Sequence, residues 1–184
     1  MFQVEKAAQA AVAFLFKAGT ALSERKLITL MAFAERRALL RDHAPITGDD
    51  FIAAPEGFSL RRVEALVTGA DADELWTKYI RRDGRGRVNV AFRVTWEDLS
   101  LLDDDALSVI NLVWDSYAHW TTDELADLSR RYDVSPEYAE AEDEDGAVIP
   151  LADLMRRHGM SEEGIREYCR HISSTAEYRR LHED

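Results

Sequence analysis

Apolar residues recur along most of this chain at spacings of three and four, the period of helices that bury one side. Val4, Ala8, Ala11, Val12 and Leu15 form the first such face, and Gly19 is placed to end it in a left-handed conformation. Ser23 is a cap for a second helix carrying Leu27, Leu30, Met31, Ala34 and Ala38 on one side. That helix should stop near His43, because the residue before Pro45 is steered away from helical dihedrals. Ile46-Thr47-Gly48-Asp49-Asp50 then reads as a turn and Phe51–Ala54 as a short extended piece. A tight turn at Gly57 follows, with Ser59 as the expected cap of a helix that buries Leu60, Val63, Leu66 and Val67. Asp71 is the expected cap of the next, which carries Leu75, Trp76, Tyr79 and Ile80.

The period changes after Asp83-Gly84-Arg85-Gly86. Val88, Val90, Phe92 and Val94 alternate with more polar residues, as in a strand with one buried face. This predicts that the four share a core with the helix carrying Trp76 and Tyr79. A lone strand cannot satisfy its backbone groups, so it needs a partner. Phe51–Ala54 is the first candidate and Ala147–Ile149 the second. Helical spacing returns behind Asp103-Asp104-Asp105, whose charge suits a helix start. It continues behind the capping-box pair Thr121 and Glu124, after Pro150 as far as Gly159, and behind Ser161 through Ile165, Tyr168, Cys169 and Ile172. The pattern predicts a mainly α chain with a small β-sheet, an α+β fold forming one compact helical domain over 1–184. Its core spans about 4–173 and holds two or three short strands. Six acids lie between Glu137 and Asp145, so 137–146 reads as an acidic loop that folding does not need, and 174–184 as a polar tail.

Composition narrows the function classes. A chain of 184 residues with 46% hydrophobic and 32% charged residues is ordinary for one globular domain. The longest apolar run near the start, Ala7 to Ala18, is interrupted by Gln9 and Lys17 and is too short for a membrane span. It also lacks the layout of a signal peptide, which leaves the cytoplasm as the expected location. A net charge of −12 argues against nucleic acid as a partner. It leaves room for a local basic patch where Arg81, Arg82, Arg85 and Arg87 crowd one turn. The single cysteine, Cys169, reads as a buried structural thiol. The five histidines are scattered, and the chain has no GxGxxG, GxxxxGK[ST], GxSxG or HExxH pattern. Neither a catalytic set, nor a metal site, nor a cofactor is therefore expected.

One stretch carries a resemblance. The Lys26-Leu27 helix ending in Phe33-Ala34, then Pro45-Ile46-Thr47-Gly48-Asp49-Asp50-Phe51, a small-residue extended piece, a Gly turn and a helix, resemble the Panacea domain of SocA-like bacterial, phage-associated antitoxins. Looser similarity runs from about Ala10 to Ile172, including a second block at WTTDELADLSRR. The family usually has His-Gly-Pro at the tight turn, where this chain has Glu56-Gly57-Phe58.

The resemblance implies a toxin–antitoxin function, in which the chain binds and neutralises a cognate protein toxin. In some SocA-like systems the antitoxin also delivers its toxin to a protease. The turn motif marks Glu56, Gly57 and Phe58, with Arg61 and Arg62 on the outward side of the next helix, as the expected partner surface, where Phe58 either staples the helix entry or stands exposed as a binding anchor. The alternative is a small-molecule hydrolase using Asp49, Asp50 and Glu56. A transcriptional regulator is disfavoured by the charge balance.

Overall fold

The computed structural model describes residues 1–54, 57–131, 133–136, 138 and 146–171. Glu56, most of the acidic stretch 137–145, Ile172 and the tail from 174 lie outside the described residues. The chain order begins α1 (Val4–Ala18), β1 (Leu22–Ser23), α2 (Glu24–Asp42), β2 (Phe51–Ala54), β3 (Gly57–Leu60) and α3 (Arg61–Thr68). It continues with α4 (Glu74–Tyr79), β4 (Ile80–Arg82), β5 (Arg87–Val90), α5 (Asp104–Tyr117) and α6 (Thr122–Arg130). The order ends with β6 (Ala147–Val148), α7 (Leu151–Arg157) and α8, which covers 162–171.

The first two long helices form the centre. In α1 every residue from Ala7 to Leu15 is buried, so it has no solvent face along that run, where the spacing predicted a one-sided helix. Its many alanines let neighbours approach from all sides. The one polar residue there, Gln9, is satisfied by both ends of its amide. Its Nε2 donates to Tyr79 Oη at 3.3 Å and its Oε1 accepts from Leu101 N at 2.8 Å. Helix α2 starts and ends as the sequence indicates, with Ser23 accepting from Lys26 N and His43 closing it in a left-handed conformation. It is buried continuously from Leu27 to Arg36, with α5 and α6 packed against it.

Two small antiparallel sheets replace the single one expected, so the described residues contain six short strands rather than two or three. The first sheet has the order β1-β5-β4, with Leu22 opposite Val88 and Ile80 opposite Val90. The second has the order β3-β2-β6, with Phe51 opposite Leu60 and Ile52 opposite Val148. The Val88 strand thus pairs with β4 and β1, and neither Phe51–Ala54 nor Ala147–Ile149 joins it. The four-residue turn favours β4 as a partner of β5, because closing it costs far less entropy than joining strands some thirty residues apart, whereas β1 is brought to β5 by the tertiary packing.

Phe92 departs furthest from expectation. Val88 is buried as predicted, but β5 ends at Val90, and Arg93 then adopts φ 72°. The chain turns away from the core and leaves Phe92 83% exposed, with the Arg81 guanidinium 4.6 Å from its ring centre. Phe92→Ala is therefore expected to change stability by no more than about 0.5 kcal/mol. An unchanged thermal melt of the variant would agree with this, and a drop of several degrees would refute it.

Two smaller corrections have local causes. The cap of α4 is Asp73 rather than Asp71, because Asp73 accepts from both Leu75 N and Trp76 N. Cys169 is exposed rather than buried, since Tyr168 and Ile165 take the inward face of α8. Asp103 and the Thr121–Glu124 box cap α5 and α6 as read from the sequence. No helix among the described residues is long and apolar enough to cross a membrane.

Candidate functional site

The segment from Ile46 to Asp50 is held by two buried carboxylates. Glu35 lies at helical spacing between Met31 and Leu39, so α2 carries it straight into the core. There Thr47 N donates to Oε1 and Oε2 at 3.1 and 2.8 Å, and Gly48 N donates to Oε1 at 2.7 Å. Burial pushes the Glu35 carboxyl above its ordinary range, while these backbone donors pull it back. Asp49 turns the other way. It accepts from Asp50 N at 2.8 Å, from Arg62 N at 3.1 Å and from Val63 N at 2.8 Å. Burial raises this carboxyl too, opposed by the same three donors.

Asp49 is thus a cap for α3 supplied from a distant turn. Ser59, the expected cap, lies inside β3 and donates its hydroxyl to Glu64. The N-terminal position of α3 falls to Leu60, which has no side-chain acceptor, and Asp49 satisfies two of the helix's orphan N–H groups instead. The sequence marked Asp49 as a turn residue but gave no sign of its reach across thirteen positions. Glu35 was overlooked, although its place between Met31 and Leu39 was the available signal.

Of the predicted partner residues, Glu56 lies outside the described residues. Gly57 has φ 123°, accessible in practice only to glycine, and packs its backbone against Ser129 of α6. Phe58 is 1% exposed, so it does not stand out as a binding anchor. Its ring stacks on Phe51 at 5.2 Å and lies beneath the Arg36 guanidinium at 4.9 Å. Arg36 is itself nearly buried and donates to Ser135 Oγ at 2.8 Å. Phe58 is held inward because β2 and β3 pair with every described side chain buried.

Arg61 and Arg62 do point outward. Arg61 N donates to Asp50 O at 3.0 Å, which places the first turn of α3 beside the 46–50 turn, and its guanidinium reaches Gly146 O at 3.4 Å. Arg62 sits 3.5 Å from Asp71 and over the Phe2 ring at 5.2 Å. Exposed Asp50 and half-exposed Val148 border the same region.

A cavity of about 180 Å³ opens beside this region, lined by Leu39, Asp49, Asp50, Phe51, Ile149 and Tyr168, among others. The Tyr168 hydroxyl is buried with no hydrogen-bond partner, and burial pushes it up to about 12. A buried hydroxyl without a partner costs about 1 to 3 kcal/mol. Tyr168→Phe should therefore hold or raise the melting temperature, and a clear loss would reveal a hydrogen bond made in solution. A larger groove of about 370 Å³ runs between α2 and α5, lined by Phe33, Arg37, Leu40, Arg41 and Tyr117 among others. No group of three or more His, Cys, Asp or Glu is placed to hold a metal ion among the described residues.

The chain matches no family model, no curated protein and no solved structure.

Proposed function

We propose that this protein acts by binding another protein, as an antitoxin that neutralises a cognate toxin, and that Arg61 and Arg62 at the start of α3 belong to the contact surface. The observation carrying this reading is how the acids that hold the motif's turn are used. Glu35 and Asp49 accept hydrogen bonds from five backbone N–H groups between them, which leaves them bracing the 46–50 turn and α3. A rigid turn followed by an exposed, arginine-bearing helix start is suited to presenting a surface. Arginines at the centre of an interface carry a disproportionate share of binding energy. Delivery of the toxin to a protease would be a further step, and it needs an additional surface.

The test pairs this chain with the product of the neighbouring gene. That product should be toxic alone and harmless when co-expressed with this chain. Arg61→Glu with Arg62→Glu should weaken binding at least thirtyfold, or about 2 kcal/mol, while circular dichroism stays unchanged. Unaltered affinity in the folded double variant would move the contact elsewhere, and an inert neighbour would remove the antitoxin reading.

The hydrolase alternative retains one favourable observation, the cavity lined by Asp49 and Asp50 with the Asp49 carboxyl raised by burial. Against it, both Asp49 oxygens accept backbone N–H groups, leaving exposed Asp50 as the acid available there. Loss of turnover in Asp50→Asn against a panel of ester and amide substrates would support it.

A further inference from the structure

The most basic segment of this acidic chain is the β4–β5 hairpin and the turn after it. Residues 81 to 93 contain five arginines and a single acid, Asp83, in a protein of net charge −12. Asp83 is occupied at the hairpin tip, where Oδ1 accepts from Arg85 N at 2.8 Å and Arg87 N at 3.2 Å. Two of the arginines are committed to the fold: Arg82 pairs with Glu24 at 2.8 Å, and Arg87 donates to Ala21 O at 2.8 Å. Arg81, Arg85 and Arg93 remain on the surface, and Arg93 makes no hydrogen bond or ion pair among the described residues.

These charges surround an exposed aromatic. Phe92 is 83% exposed and held from one side by the Arg81 guanidinium, whose Nε also donates to Val90 O at 3.1 Å. Arg93 is kept at φ 72°, a left-handed conformation that is strained for a residue with a Cβ and that turns this corner outward. Three residues on, Trp96 is 54% exposed and packs at a tilt against Phe16. The adjacent acids, Glu97 and Asp98, are turned back onto Thr95. An exposed phenylalanine and arginines with free donors are the residue types that dominate protein interfaces.

We infer that this corner is a docking face for an acidic segment of a partner protein, in which an apolar side chain covers Phe92 while carboxylates pair with Arg81, Arg85 and Arg93. Charge complementarity selects the occupant. The guanidinium forks favour carboxylates, and the apolar ring between them favours a segment that mixes acids with an aliphatic or aromatic residue. The inference is independent of toxin binding at Arg61 and Arg62.

The test is selection of random twelve-residue peptides on the immobilised full-length protein at 0.15 M salt. Enriched peptides should carry two or more acids around an apolar residue. Their binding should fall at least tenfold in Phe92→Ser with Arg81→Glu, and at least tenfold again when salt is raised to 0.5 M. Both substituted positions are exposed, and an unchanged thermal melt confirms that the variant is folded. Three outcomes overturn the inference: acidic peptides are not enriched, the selected peptides bind the variant as well as the wild type, or a fifteen-nucleotide oligothymidylate binds the face more tightly than any peptide. Concentration-dependent dimerisation abolished by the same variant would also overturn it, because the occupant would then be a second copy of this chain.

Discussion

Gly57→Ala should destabilise the fold by about 3 kcal/mol or more, which for a chain of this size lowers the melting temperature by roughly 6 to 12 °C. Two effects combine. The φ of 123° lies outside the range that residues with a Cβ adopt, and a Cβ there would sit 1.9 Å from Ser129 Oγ, 3.2 Å from Ser129 Cβ and 3.4 Å from Ala126 O. The last of these is an ordinary contact, so the clash falls on Ser129. Ser129 is fully buried and donates its hydroxyl to that same Ala126 O, so it has no open space to rotate into. Adding Ser129→Ala to Gly57→Ala should recover part of the loss by removing the nearest atom, while the dihedral strain remains. A melt of Gly57→Ala within a degree of the wild type would show that the β2–β3 hairpin does not pack on α6 as described.

Glu35→Ala should have a comparable effect, about 3 kcal/mol, because it strips the acceptor from two buried N–H groups and leaves a gap between α2 and the 46–50 turn. The loss should spread to α3, since Asp49 caps that helix only while the turn keeps its shape. Thermal unfolding measures the loss, and hydrogen exchange at Arg62 N and Val63 N reports the loosened cap. The pH dependence provides a second readout. The folded pKa of Glu35 lies above the unfolded value near 4.5, so just above that pH the folded chain retains a proton that the unfolded chain has released. Its contribution to stability is therefore fully present below about 4.5 and is lost as pH rises through the raised folded value. Asp49 acts in the same sense from its own ordinary value near 3.8. Glu35→Gln should flatten the slope relative to wild type over this window. A variant with the same slope would show that Glu35 titrates normally and that its burial is relieved in solution.

Helix positions, several caps and the fold class were legible in the sequence, because each depends on residues within a few positions of one another. Ser23, Asp103 and the Thr121–Glu124 box satisfy N–H groups three residues away, and the apolar positions read for α2, Leu27, Leu30, Met31, Ala34 and Ala38, are all buried. The same spacing did not reveal that α1 is buried on every side, since alanine is small enough for either environment and only the surrounding helices determine which it meets.

The candidate site was less legible. The motif from Pro45 to Phe51 could be recognised, but its meaning depended on Glu35 reaching back from α2 and Asp49 reaching forward to α3 across twelve to fourteen positions. Phe58 and Phe92 illustrate the limit most clearly. Both are phenylalanines next to turns, one read as either a staple of the helix entry or an exposed anchor and the other as core; the first is buried and the second stands in solvent. Alternation of residue types fixes which side chains share a face, but whether that face meets protein or water depends on where the strand ends and what packs across it. β2 and β3 pair through a tight turn and bury Phe58 against Arg36, whereas β5 stops at Val90 and the turn at Arg93 carries Phe92 into solvent. Local periodicity thus determined the elements of this protein, and the long-range hydrogen bonds and pairings that only tertiary structure supplies decided which residues its surface presents.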